Sequence, residues 1–165
     1  MEKNISAHVH VIRDRDISRD CKMTGFVDSH FHIWDLKKFH YDWPTENEAA
    51  IFKNITLDEL LKEVTSANKV KYGVFVQCLN DKPEEAKWVM QLAESTDFIK
   101  GVVAGVALNN PNLSEVLDDL QKNPLFKGLR HILDFEDENW LTREDVHKGF
   151  KVLEDRGLTF DLLLR

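Results

Sequence analysis

Gly25-Phe-Val-Asp-Ser-His-Phe-His-Ile-Trp-Asp35 reads as an apolar strand running into a polar, aromatic loop. Residues two apart on extended backbone share a face. Asp28, His30 and His32 therefore line one side, and Val27, Ser29, Phe31 and Ile33 the other. A neutral imidazole nitrogen is a good ligand, and two on one strand face are spaced to share a divalent metal. Taken alone, His-x-His more often marks two ordinary solvated or hydrogen-bonded histidines. Here the pair ends a strand just before a long loop, where parallel barrels keep their chemistry.

Working outward, the loop from Leu36 to Lys53 shows no clear period and carries Phe39, Tyr41, Trp43, Pro44 and Phe52. Rings at that density want a surface to pack on, so the loop is expected to cover a pocket mouth and bring Tyr41 or Trp43 near the histidines. From Thr56 the chain becomes regular. Thr56-x-x-Glu59 is a capping box, and Leu57, Leu60, Leu61 and Val64 follow at helical spacing. Lys71 to Leu79, Phe98 to Leu108, Phe126 to Leu133 and Leu158 to Leu164 read as strands. The helices between them open at Asp81-x-Pro83-Glu84, at Asn110-Pro111 and at Thr142 as a cap, and the last ends at Gly157.

The order β-α-β-α-β-α-β-α-β, with strands apolar on both faces, predicts a parallel sheet covered by helices. Either an open doubly wound sheet or part of a (β/α)₈ barrel fits that pattern. No Gly-x-Gly-x-x-Gly and no P-loop follows the first strand, which argues against nucleotide binding. A whole barrel takes about 250 residues. We therefore expect an α/β fold of the parallel (β/α) TIM-barrel type, incomplete, with about five of eight strands and helices outside. Residues 1–22 are expected to be a flexible N-terminal extension and 23–165 the barrel portion. His8-Val9-His10 lies in that extension without strand context and is read as a decoy.

Composition narrows the function. The 165 residues carry 22 Lys and Arg against 29 Asp and Glu, a net charge of −7, which gives a nucleic-acid role no electrostatic support. No apolar run reaches the ~20 residues of a membrane helix, and the charged N-terminus has no signal-peptide core. Two cysteines, Cys21 and Cys78, make no disulfide framework. The expectation is a soluble cytoplasmic protein acting on a small molecule. Polar residues interrupt the later strands near their C-terminal ends: Gln77, Arg130-His131 and Asp161. Arg130 is expected to point inward, with Gly128 on the same face leaving it room. His131 would need a bulge to join it. Gln77 and Asp161 read equally as local hydrogen-bond or salt-bridge partners.

Asp28-Ser-His-Phe-His-Ile-Trp-Asp35, Tyr41-x-Trp-Pro44, Lys127-Gly-Leu-Arg-His-Ile-Leu133 and Gly157-Leu-x-Phe-Asp-Leu-Leu163 together resemble the amidohydrolase-related family of TIM-barrel hydrolases, nearest its lactonase-like branch. The resemblance runs from about Gly25 onward and covers the N-terminal part of that fold. It implies that His30 and His32 are the first-strand pair, catalytic and binding a divalent metal, with zinc favoured, or contacting substrate in metal-free lactonases. It implies that Arg130 and His131 contact substrate and that Tyr41 and Trp43 stand at the pocket mouth; Gln77, from its own place near the end of the second strand, is expected to join the substrate site. The family's remaining histidine and its general-base aspartate follow later strands than the five read here.

Three readings follow. The first is hydrolysis of a lactone or similar cyclic ester by metal- or histidine-assisted water attack, this chain lacking the later catalytic residues. The second is a noncatalytic truncated barrel that binds a ligand or partner, with self-association through its open sheet. The third is a metal-dependent phosphoesterase of the same superfamily, which the Gly-Leu-Arg-His and Phe-Asp-Leu-Leu segments disfavour.

Overall fold

A computed structural model of the chain describes residues 25–68 and 70–163. The expected extension, with His8 and His10, and Cys21 lie outside the described residues. Five strands alternate with four helices: β1 (Phe26–Phe31), α1 (Leu57–Asn68), β2 (Val70–Val76), α2 (Pro83–Leu92), β3 (Ile99–Gly105), α3 (Leu113–Leu120), β4 (Phe126–Ile132), α4 (Glu144–Asp155) and β5 (Thr159–Leu163). All pairings are parallel, in the order β1-β2-β3-β4-β5. Register shifts interrupt the first three pairings, and such irregularities bend and twist a sheet. The result is a curled half-barrel with helices on its outer side.

The core lies between sheet and helices. Phe31, Phe75, Val102, Ala104 and Leu129 face outward from the strands and meet Leu57, Val89, Leu117, Leu120, Val146 and Leu153 of the helices. The alternation expected for β1 holds here: Phe31 and Ile33 enter this core, so His30 and His32 face the other way. A smaller cluster gathers Trp34, Tyr41 and Cys78 with Trp43 and Phe39 under the β1–α1 loop. Among the described residues β1 and β5 each pair on one side only, and Phe26 (69 %), Val27 (46 %) and Leu162 (45 %) stay exposed there. No helix among the described residues is long and apolar enough to cross a membrane.

Local signals explain most boundaries. The Thr56–Glu59 capping box forms in both directions, Glu59 N donating to Thr56 Oγ1 and Thr56 N to Glu59 Oε2. Gly157 ends α4 with φ +65, the left-handed cap. Two expectations need correction. Thr142 does not cap α4: it belongs to a 3-10 turn, its hydroxyl donates to Asn139 O, and Arg143 is the capping position, without a side-chain cap bond. The stretch Leu36–Lys53 is also not wholly irregular, since Thr45-x-x-Glu48 makes a second capping box on a 3-10 turn. The β2–α2 turn is folded tightly over the end of β3. A Cβ on Gly105 would lie 1.8 Å from Asn80 O, so only glycine admits that crossing.

Candidate active site

The inner face of the half-barrel carries a polar cluster built from β1, β4 and β5. In a flat sheet β1 and β4 lie three strand spacings apart, about 14 Å. Curl and the length of an arginine close that gap, and Arg130 Nη1 comes within 3.5 Å of His30 Nε2. Arg130 is 9 % exposed and also donates to Gln77 O at 3.2 Å. Burial lowers its pKa. The expectation that Arg130 points inward therefore holds, but its stated reason does not. The missing Cβ of Gly128 would fall 2.2 Å from Thr159 O, so this glycine lets β5 approach rather than making room for Arg130.

His32 Nδ1 lies 2.7 Å from Val76 O. A carbonyl only accepts, so Nδ1 carries the proton and Nε2 keeps the lone pair. That lone pair faces His30 Nε2 at 3.2 Å, which fixes a proton on His30 Nε2. Burial, the dominant cause, pushes the His32 imidazole down to about 4, and the neighbouring His30 and Arg130 push the same way. His30 is lowered too, by burial first and Arg130 second. Both rings are thus neutral near pH 7, the state needed to ligate a metal or polarise an oxygen.

With the His30 proton moved to Nδ1, both Nε2 lone pairs would be free to share one metal ion. Bonds of about 2.0–2.1 Å in a tetrahedron place two nitrogens about 3.3 Å apart, close to the spacing of the two Nε2 atoms. The Val76 carbonyl supplies the outer hydrogen bond that orients a ligating histidine. Among the described residues no third His, Cys, Asp or Glu joins them as a metal-holding group.

Asp161 belongs to this face. It is the register partner of Arg130 on β5, and burial raises its carboxyl while His30 and Arg130 pull it back down. His131 does not join the cluster. The β4–β5 register runs unbroken from Gly128 to Ile132, so the bulge that His131 needed is absent there. Its Nε2 pairs with Glu136 Oε1 at 2.7 Å, and its ring stacks on Trp140 at 4.5 Å. Gln77 bridges the two regions. Its amide donates to Arg130 O at 3.5 Å and accepts from Asn80 N at 3.1 Å. Cys78 is buried and its thiol is pushed up to about 12 by burial, which suits a packing role.

At the C-terminal ends of the strands lies a cavity of about 530 Å³, lined by Gln77, His131 and Glu136, by His40 and Asp42 from the first loop, and by Leu79 and Asn80. Leu79 has φ +45, a left-handed backbone that leucine rarely adopts. Such strain collects at ligand clamps. The first loop does form one wall. Its rings, however, pack sideways: Trp43 lies against Trp34, 5.9 Å between centroids, and Tyr41 is buried with Cys78. Sequence reading missed Glu85 altogether. This carboxyl is 1 % exposed beneath the loop, and its only signal was a charged residue among the buried positions of α2.

No family model matches the chain. An uncharacterized protein of Sinorhizobium fredii is 28% identical over 160 residues, covering 85% of this chain and 54% of that one. The L-fucono-1,5-lactonase of Burkholderia ambifaria is 26% identical over 143 residues, covering 86% of this chain and 49% of the lactonase. Among solved structures, an amidohydrolase of Burkholderia multivorans with bound zinc superposes with a TM-score of 0.72 at 22% identity, covering 84% of this chain and 48% of that one. A probable 2-pyrone-4,6-dicarboxylic acid hydrolase of Acinetobacter baumannii with bound citric acid gives 0.65 at 17% identity, covering 82% and 48%. The chain spans about half the length of the curated relatives it matches, and its fold is that of half an amidohydrolase TIM barrel.

Proposed function

From the premise that this chain is an N-terminal portion of a lactonase-like, amidohydrolase-related barrel, we propose that its inner face binds the carbonyl of a lactone or similar cyclic ester and polarises it for attack by water. One observation carries the reading: His30 Nε2, His32 Nε2 and Arg130 Nη1 converge from β1 and β4 within 3.5 Å of one another along the chain His32–His30–Arg130. In the tautomers set by Val76 O, His30 Nε2–H and Arg130 N–H are donors facing each other, so the contact is poor as a hydrogen bond. An electron-rich guest relieves it. A carbonyl oxygen placed between them accepts from both and is stabilised as negative charge develops. The guanidinium suits a carboxylated or oxygen-rich substrate for the same reason.

Zinc, if it is the resident ion, would be held by His30 and His32 and would supply Lewis-acid polarisation of the same oxygen. Arg130 then neutralises charge at the rim, and Asp161 balances Arg130. The 530 Å³ cavity at the strand ends is of the size that small-molecule sites use. Gln77 and His131 stand on its walls, opposite His40 and Asp42 of the first loop, while Tyr41 and Trp43 pack behind that loop and support it. The base that takes the proton of water follows, by the family resemblance, a later strand than β5. The test is binding of L-fucono-1,5-lactone, read by calorimetry with and without zinc. Binding should be lost in Arg130→Ala and in the double change of His30 and His32 to Ala. Unchanged affinity in both variants sinks the reading.

A further inference from the structure

The β1–α1 loop is tied by Trp34 to Lys53 O, by Leu36 N to Asn54 and by Asn80 to His40 O, and one further tie is a buried polar joint. Tyr41, 6 % exposed, reaches from the loop toward Glu85, the third residue of α2 and 1 % exposed. Glu85 Oε2 accepts a long hydrogen bond, 3.4 Å, from Cys78 N–H. Tyr41 Oη lies against the other side of the carboxyl and the Asp35 backbone, yet neither Tyr41 Oη nor Glu85 Oε1 completes a hydrogen bond of good geometry. Two orphaned polar atoms in one enclosed joint are rare in native interiors. The flanking residues His40 and Asp42 line the cavity wall, and His40 O accepts from Asn80 Nδ2.

The groups that act on Glu85 are few. Tyr41 faces it from the loop, and Cys78 faces it from the β2–α2 turn. Cys78 in turn feels Arg130 from the inner face. Lys82 and Glu84, on the same turn as Glu85, are exposed to water. We propose that Glu85 and Tyr41 form a proton-operated clasp, in which neutral Glu85 holds the loop shut on the cavity and ionised Glu85 releases it.

The neutral acid carries an O–H, so a small rotation satisfies both orphaned oxygens at once. The carboxylate is instead a buried charge with one backbone N–H and one phenol for company. Ionisation does strengthen donation from Tyr41. Burial outweighs that gain, because the carboxyl is pushed up to about 7 even with Tyr41 and Cys78 pulling it down. Water reaches the charge most cheaply by lifting the loop, since α2 is anchored through Ala86, Val89 and Met90 in the core. The sign follows. The closed state keeps its proton up to about 7, while an opened, solvated carboxyl loses it in the ordinary range. Closure is therefore firmest at low pH and weakens as pH rises to about 7, with no further change above.

The test uses the full 165-residue chain and no ligand. Acrylamide quenching of tryptophan reports the loop, because Trp34 and Trp43 pack with Tyr41 and Trp88 packs on the loop's Phe39, while Trp140 stays buried elsewhere. Quenching should rise between about pH 5 and about pH 7 and then level off. Glu85→Gln should lose the step and stay at the low-pH level. Tyr41→Phe removes the phenol whose pull lowers the carboxyl, so its step should move to higher pH. A flat profile in the native chain, a step that survives in Glu85→Gln, or a step left in place by Tyr41→Phe overturns the clasp. The last variant decides the matter if Glu85→Gln does not fold. Because the readout is loop exposure, lactone binding and the clasp fail independently.

Discussion

β3 and β1 differ in composition and more in fate. Both are parallel strands of similar length, but β1 has Asp28 and Ser29 at its centre and even its apolar Phe26 and Val27 stay exposed, so that β3 is buried at all but one of its seven positions and β1 at only one of six. For Phe26 and Val27 the difference is neighbours. β3 has a strand on each side and helices above, whereas β1 pairs with β2 alone. Burial here is a property of place in the sheet. The candidate site uses this contrast, since His30 and His32 stand on the edge strand, open enough for a ligand to reach, while Arg130 reaches them from buried β4.

The contrast is broken most directly at the middle. Phe75→Ala removes a ring with no exposure and should cost about 3–5 kcal/mol in urea denaturation. A loss below about 1 kcal/mol would mean that the centre of the sheet is no better packed than its edge. Next comes the half-buried His32, just past the end of β1. An unfolded His32 takes up a proton near 6.5, but the folded ring resists until about 4. Stability is thus full above that window and falls as pH drops through it, by about 2–3 kcal/mol after allowance for partial exposure. His32→Gln should flatten this slope, and a slope that persists assigns it elsewhere. Gly105→Ala should cost about 1–3 kcal/mol, because a methyl 1.8 Å from Asn80 O must push the β2–α2 turn away. It should also loosen the Asn80–His40 tie, visible as faster amide exchange in the first loop. The smallest effect is expected at Phe26→Ala, within about 0.5 kcal/mol for a ring 69 % exposed. A larger loss would show that Phe26 is covered in solution.

Strand and helix placement was legible because each βα unit carries its own punctuation. Apolar runs gave β2 to β5 to within a few residues, and Thr56, Pro83 and Gly157 marked helix ends by local chemistry. Thr142 misled, since a good capping residue was taken up by the preceding 3-10 turn and Arg143 began the helix without a side-chain cap. The facing of His30, His32 and Arg130 was legible from the period of two. The partners were not. That Val76 O fixes the tautomer of His32, that Glu136 and Trp140 hold His131, and that Glu85 lies beneath Tyr41 all depend on contacts between distant segments. No local pattern encodes which carbonyl ends beside which ring.

The strict sequential order of the sheet bears on synthesis. Among the described residues each strand hydrogen-bonds only to the ones made just before and just after it. A chain emerging from the ribosome N-terminus first can therefore dock each new βα unit on an edge already in place, with no early segment waiting for a late one. The exception is the site itself. Arg130 and His30 are 100 residues apart in sequence, so their meeting waits for three further strands to be laid down beside the first. Nascent chains halted before β4 should hold a growing sheet and two mobile imidazoles, and the chemistry of the inner face arrives as one late event.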